Sequence, residues 1–471
     1  MSQSVQRFDV VVIGGGPAGQ KAAIQAAKAG ESVLLVERGN VGGECVFRGT
    51  IPSKTLRESA LHLVGLKERA QGLFDASLGP DTKVKSLMRR LSEVLANHQR
   101  FISRQLERNG ITTWRGRARF LSETELEVTR ADATVSRVEG RTIFIATGSR
   151  PRQPAEIPID HEHILDSDSI LSMIYLPKSL AVIGAGVIAC EFASIFQSLG
   201  VEVTLIDRRN TPLGFLDPEL SDEFVSQFES AGGTFLPGIE LGEVAFDGVG
   251  QVSLELGGRA PLHVDKVLVA LGRTASLAGL SIESAGLELS DRGYVLVDEN
   301  CCTQVPNIYA IGDVIGPPAL ATASMEQGRR AARHALGLPT REGMELVPVG
   351  VYTIPEIGSI GETEQDVRER GQEPIVGRSR FDEIARGQIN GQGEGMLKLV
   401  CDPSGRRVLG AQAIGPSATE LVHLAQLAIL GELPVDVFVD NIFNFPTMAE
   451  CYRVAALDVI GRRPKAVPLA G

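Results

Sequence analysis

"VVIGGGPAGQKAAIQAAKAGESVLLVER", Val11 to Arg38, decides the fold of this 471-residue chain, because it occurs twice. Its counterpart is "AVIGAGVIACEFASIFQSLGVEVTLIDR", Ala181 to Arg208, at an offset of 170 residues. Each copy reads as an apolar strand, a glycine turn, a helix and a second strand ending in an acid, Glu37 or Asp207. The first glycine lies 23 positions before that acid in both copies. A dinucleotide needs this arrangement. Gly14 or Gly184 makes the tight turn, and Gly16 or Gly186 lets the backbone approach a pyrophosphate. Gly19 or Ala189 allows close helix–strand packing. In the first copy the helix opens on Pro17 and Ala18, so its N-terminus faces the phosphates. The acid then accepts hydrogen bonds from the ribose hydroxyls. One glycine motif is weak evidence; two complete units are strong.

Other segments fit around these two. "RTIFIATGSRP", Arg141 to Pro151, is a β-branched strand ending in a turn at Thr147 and Gly148. "LVALGRTA", Leu268 to Ala275, closes the second unit with Gly272. "TQVPNIYAIGDVIG", Thr303 to Gly316, is a strand ending at Gly312 and Asp313, an acid placed to reach a sugar-like chain. A helix with one polar face is expected over about 84–109. After about Leu346, "GMLKLVCDPSGRRVLGAQAIG" reads as a hairpin around Asp402–Gly405. "SATELVHLAQLAIL" reads as an amphipathic helix. The expected class is α/β, with two Rossmann-like dinucleotide-binding domains and a C-terminal α+β domain. The boundaries are expected at 1–152, 153–274, 275–345 and 346–471, the first and third segments forming one domain. No low-complexity linker separates them.

Bulk properties narrow the partners. A net charge of −11 argues against nucleic acid and anionic membrane. No apolar run reaches the ~18 residues of a membrane span. The polar start "MSQSVQRFD" is not a secretory signal, so the cytoplasm is expected. Six cysteines in 471 residues are not a disulfide framework. No Cys or His spacing matches a zinc site, so no metal is expected. His161 and His163 are expected in solvent, and His423 in core or interface packing.

The loop "VGGECVFRGTIPSKTLR", Val41 to Arg57, carries one cysteine, Cys45. With the two nucleotide units, it resembles the flavoprotein disulfide reductases: glutathione reductase, mercuric reductase and dihydrolipoamide dehydrogenase. The resemblance covers nearly the whole chain. It implies non-covalent FAD on the first unit, one per subunit, NAD(P) on the second, and a C-terminal domain that makes a homodimer or a larger homo-oligomer. The FAD fingerprint runs over Gly14, Gly16, Gly19 and Glu37, then Arg38, Gly39, Asn40, Val41, Gly42, Gly43, Glu44 and Cys45. Lys54 matches a lysine beside the flavin, Asp313 the acid on the ribityl chain, and Glu191 the nicotinamide side.

Two departures bear on function. The family's redox loop pairs two cysteines separated by four residues; here Thr50 occupies the flavin-facing position. A hydroxyl neither forms a disulfide nor carries electrons as a thiolate does. The family also places a His before Pro-Thr near the C-terminus, oriented by a later Glu. Here that position is Phe445, while Glu450 remains. Disulfide partner and thiol base are missing together. Within the family, "GTIPSK" and "PTMAECYRVAAL" resemble the members that exchange hydride between nicotinamide coenzymes. The implied activity is hydride transfer from NADPH to NAD⁺ through flavin N5, with Lys54, Glu191, Thr50 and Glu450 as the site residues. Arg208 and Arg209 follow Asp207 directly. The acid suits the NAD ribose diol, and the arginines suit a 2′-phosphate. The alternatives are an NAD(P)H-dependent reductase or oxidase, a dihydrolipoamide dehydrogenase-like protein, and a non-catalytic FAD scaffold. Cys45 reads as a retained structural residue, Cys301-Cys302 as a pair opening a strand, and Glu44 as a surface or water-bridged side chain.

Overall fold

The computed structural model describes residues 5–70, 80–340, 346–391 and 393–464. The polar start 1–4 and residues 341–345, beside the expected boundary at 345/346, lie outside these; so do the side chains of 84–88 in the expected helix.

The first sheet is built on the parallel strands Gln6–Ile13 and Val33–Glu37. Val135–Ile145 pairs with the other edge of Gln6–Ile13, and Ile308–Ala310 follows it. Val10, Val11 and Val12 are fully buried between helices on one face and a three-stranded antiparallel meander on the other. Continuous β-branched runs of this kind belong to sheets covered on both sides. The helix Pro17–Lys28 covers one face, with Ala321–Ala335 packed on it. That second helix is brought in by the return strand Ile308–Ala310, so the first unit is completed by residues late in the chain.

The second sheet repeats the plan, with parallel strands in the order 234–236, 202–206, 179–183, 266–269, 164–166. An antiparallel pair, Ser149–Pro151 with Arg273–Ala275, joins the two units. The third sheet is antiparallel, running from Val349–Val351 to Ile375–Arg380. Its hairpin Met396–Cys401/Val408–Ile414 turns at 402–405. Helices Ala418–Leu430 and Glu450–Arg462 pack on it around Tyr452, which is fully buried.

The helix Thr50–Ala70 ties these parts together. Leu56 and Ala60 share one core with Leu180 and Phe192 of the second unit and Val351, Ile357 and Ile414 of the third sheet. Buried Arg57 donates from Nε to the Thr353 carbonyl (2.8 Å) and pairs with buried Glu356 (3.1 Å). No helix among the described residues is long and apolar enough to cross a membrane.

Candidate active site

The glycine turns of the two units have the same geometry. Gly14 and Gly184 hold φ of +110° and +104°, and a Cβ there would meet the carbonyl oxygen of Ala146 at 2.2 Å or Ala270 at 2.6 Å. Only glycine fits both the left-handed backbone and the close approach. Glu37 accepts hydrogen bonds from the backbone of Gly15 and Gly39 (both 2.7 Å). Asp207 accepts from Ala185 (2.6 Å) and Arg209 (2.7 Å). Each acid is thereby fixed at the rim of its turn.

A cavity of about 700 Å³ starts at the first turn. Gly14, Gly16, Pro17 and Ala18 form its floor, and Glu37 with Arg38 stands at one end. Thr147, Gly148, Gly312 and Asp313 line its middle, and Gly43, Glu44 and Cys45 one wall. Asp313 accepts a hydrogen bond from the Ser149 hydroxyl (2.7 Å), which in turn accepts from Arg273 Nε (2.7 Å). The Thr147 hydroxyl is buried without a protein partner among the described residues. An acid at the nucleoside end, helix N–H groups, an unpaired hydroxyl and a second acid along one elongated cavity suit FAD. Gly19, Gly39, Asn40, Val41 and Gly42 shape the turn around the cavity without lining it; Asn40 is exposed, and Val41 packs into the core.

At the far end stand Thr50, Lys54 and Glu191. Lys54 Nζ contacts Glu191 Oε2 at 2.6 Å and Oε1 at 2.8 Å, and Glu191 is buried. Lys54 follows Cys45 on the same loop-to-helix segment, whereas Glu191 lies on the second unit's first helix, Val187–Ser198. Thr50 stands beside the half-buried Cys45 thiol. Burial pushes the Cys45 pKa up, outweighing the lowering influence of Thr50 and Lys54. This thiol therefore stays protonated at neutral pH.

Gly184, Gly186 and Asp207 form the second turn outside this cavity, and Gly272 lies in the loop leading to the joining strands. Arg208 is exposed. Arg209 is engaged within the chain. Its guanidinium reaches back to Asp207 from Nε (3.2 Å) and Nη2 (3.3 Å), because the tight turn puts both groups on one edge. Burial works to raise the Asp207 pKa, but the Arg209 and Ala185 hydrogen bonds prevail and bring it below the usual range.

Several other expectations are corrected. Glu44 is half-buried, not at the surface. Its Oε1 lies 3.7 Å from both Arg38 and Arg48, and its Oε2 is buried without a partner among the described residues. Arg48 bridges onward to Asp168 (3.2 Å) of the second unit. Burial and the neighbouring Asp168 raise the Glu44 pKa. His163 stacks on Phe246 at 3.8 Å, where its loop meets the strand Leu241–Phe246 of a small three-stranded antiparallel sheet in the second unit; His161 remains exposed. Cys301-Cys302 sits in a turn before the strand, which begins only at Ile308. His423 is exposed and lines the cavity edge, with Nδ1 2.9 Å from Gln426, so it is not in the core of its own chain. Glu450 opens the helix Glu450–Arg462 and does not line the cavity of its own chain. Sequence reasoning missed Ser149, Arg273 and Tyr352. Ser149 directly follows the Thr147-Gly148 turn and was the most accessible of the three.

The family model described as "Pyridine nucleotide-disulphide oxidoreductase" matches residues 8–328, and its dimerisation-domain model matches 347–456. A protein of Mycobacterium bovis named soluble pyridine nucleotide transhydrogenase is 42% identical over 462 residues, covering 97% of this chain and 98% of its own. A protein of Pseudomonas fluorescens with the same name is also 42% identical, covering 98% and 99%. Among solved structures, LpdA of Mycobacterium tuberculosis superposes with a TM-score of 0.88 at 26% identity, covering 96% and 99%. The HOCl-induced flavoprotein disulfide reductase RclA of Escherichia coli gives 0.86 at 28%, with the same coverage. With family models over both parts of the chain and relatives matching along almost all of it, the chain belongs to the FAD-dependent pyridine nucleotide-disulphide oxidoreductases.

Proposed function

We propose that this enzyme is a cytoplasmic, homodimeric transhydrogenase that moves hydride from NADPH to NAD⁺ without a redox disulfide. The observation that carries this reading is the end of the cavity. A Lys54–Glu191 pair at 2.6 Å stands there with a hydroxyl, Thr50, beside Cys45 where a second sulfur would serve thiol chemistry. The full-length similarity to relatives named as transhydrogenases supports it.

FAD, when bound, supplies a two-electron hydride store at N5. The chain's own residues provide position and charge. The N–H groups at the start of the helix Pro17–Lys28 meet the pyrophosphate, and Glu37 receives the adenosine ribose. Asp313, held by Ser149, takes the ribityl hydroxyls. Lys54 keeps a positive charge against the end of the cavity, where it stabilises electron density gained on reduction. Glu191 keeps that ammonium aimed. The two coenzymes take turns at the second turn, where Asp207 accepts a ribose diol and Arg208 and Arg209 meet a 2′-phosphate. No side chain needs to supply a substrate proton, which accords with Phe445 in place of a base.

The reading is tested by stopped-flow mixing of anaerobic, NADPH-reduced enzyme with NAD⁺. Flavin reoxidation with stoichiometric NADH is expected. Reoxidation only by a quinone or oxygen would show a reductase or oxidase instead.

A further inference from the structure

Tyr352 directly follows the third sheet's edge strand Val349–Val351 and lines the cavity beside Lys54 and Glu191. Its backbone N–H donates to Glu191 Oε1 at 2.9 Å. Its ring lies under the Lys54 ammonium, with Nζ 4.8 Å from the ring centroid. The contacts continue outward. The Tyr352 side chain lies beside Thr419. Thr419 in turn donates to Glu356 Oε1 (3.3 Å), and Glu356 pairs with Arg57 (3.1 Å). Arg57 is one helical turn after Lys54 on the same helix. Through the Thr353 carbonyl and Glu356, Arg57 thus ties the segment that follows Tyr352 to the helix that carries Lys54.

The ring and the N–H together have a physical consequence for Lys54. A lysine paired only with a carboxylate keeps several rotatable bonds and can follow that partner in more than one pose. A ring beneath the ammonium adds an attractive face in a half-desolvated setting. The N–H to Glu191 fixes the carboxylate that faces the ammonium from the other side. Lys54 is left one position, on the cavity wall.

We propose that Tyr352 is a positioning residue for hydride transfer: its ring and backbone N–H hold the Lys54–Glu191 pair against the flavin site. This rests on the role given to Lys54 above, and the test separates the two. In the full-length, FAD-loaded protein, Lys54→Met, Tyr352→Phe and Tyr352→Leu are compared. The readouts are anaerobic flavin reduction by NADPH, the flavin midpoint potential, FAD content and Tm. Tyr352→Phe keeps the ring and is expected to stay within about two-fold of the unmodified rate. Tyr352→Leu removes it and is expected to slow flavin reduction roughly 2- to 30-fold. It should also lower the midpoint potential, with FAD content unchanged. Tyr352→Met provides the same comparison if the leucine variant fails to fold. A merely structural role would lower Tm and FAD content and leave the potential in place, overturning the proposal. So would a phenylalanine variant as impaired as the leucine one. If Lys54→Met is impaired and Tyr352→Leu is not, the role of Tyr352 alone is refuted. If Lys54→Met changes neither rate nor potential, the role of Lys54 itself fails.

Discussion

Arg208 and Arg209 are neighbours in sequence but differ in the fold, so their substitutions should separate. Arg208 is exposed at the mouth of the second turn, and no partner for it is seen among the described residues. Its whole interaction is available to a 2′-phosphate. Charge-assisted hydrogen bonds of this kind are worth about 1.5–3 kcal/mol. At about 1.4 kcal/mol per tenfold, Arg208→Ala should lower kcat/KM for NADPH roughly 10- to 140-fold. Arg209 must first leave Asp207, to which it reaches at 3.2 and 3.3 Å. Its side chain is 57% exposed. Such a surface pair is worth about 0–1 kcal/mol, which offsets part of the gain. Arg209→Ala should therefore cost NADPH less than Arg208→Ala, within bounds of roughly 2- to 140-fold. For NADH the two substitutions diverge again. Arg208→Ala should change kcat/KM little, whereas Arg209→Ala frees the Asp207 carboxylate for the ribose diol and should leave KM for NADH equal or lower. The assay is steady-state reduction of an artificial acceptor with each coenzyme at low and high salt. The NADPH effect should shrink as salt screens the phosphate contact. Equal losses for both coenzymes, or a larger NADPH loss in Arg209→Ala than in Arg208→Ala, would refute the assignment.

On the proposed reading the flavin is the one two-electron centre of each subunit, and about one equivalent of NADPH should bleach it anaerobically. Thr50→Cys should raise the requirement to about two equivalents and introduce a long-wavelength charge-transfer band, provided the loop meets disulfide geometry. Two equivalents taken up by the unmodified protein would reveal a second redox centre. Burial raises the Cys45 pKa, so less thiolate exists at any given pH than for a free thiol. Alkylation of Cys45, followed by peptide mass spectrometry, should be slow at neutral pH and still climb beyond the ordinary thiol range. Thr50→Val should push that profile higher, and rapid alkylation at pH 7 would contradict it. On the third unit, Leu427, Ile442 and Phe445 are 67%, 99% and 73% exposed. Leu427→Glu with Ile442→Glu should yield monomers with weakened FAD retention by sedimentation, and an intact dimer would place the interface elsewhere.

The nucleotide-binding plan was legible in the sequence because its parts are local. Strand, turn, helix and acid occupy a short stretch, and the repeat of Gly14 and Glu37 in Gly184 and Asp207 checks itself. The substitution at Thr50 was legible for a similar reason, since the loop's spacing is preserved around it. What tertiary structure alone decided depends on contacts far apart in the chain. Ser149 meets Asp313 across 164 positions, and Tyr352 meets Glu191 across 161. No periodicity reports such a pairing. The return of residues 308–335 to the first sheet and the packing of the third sheet on helix Thr50–Ala70 create it. Side-chain direction was equally hidden: Arg209 turns to Asp207, and Glu44 turns inward toward Arg38 and Arg48. Sequence names the residue types near a site, but where a long charged side chain points depends on which opposite charge the fold brings within reach.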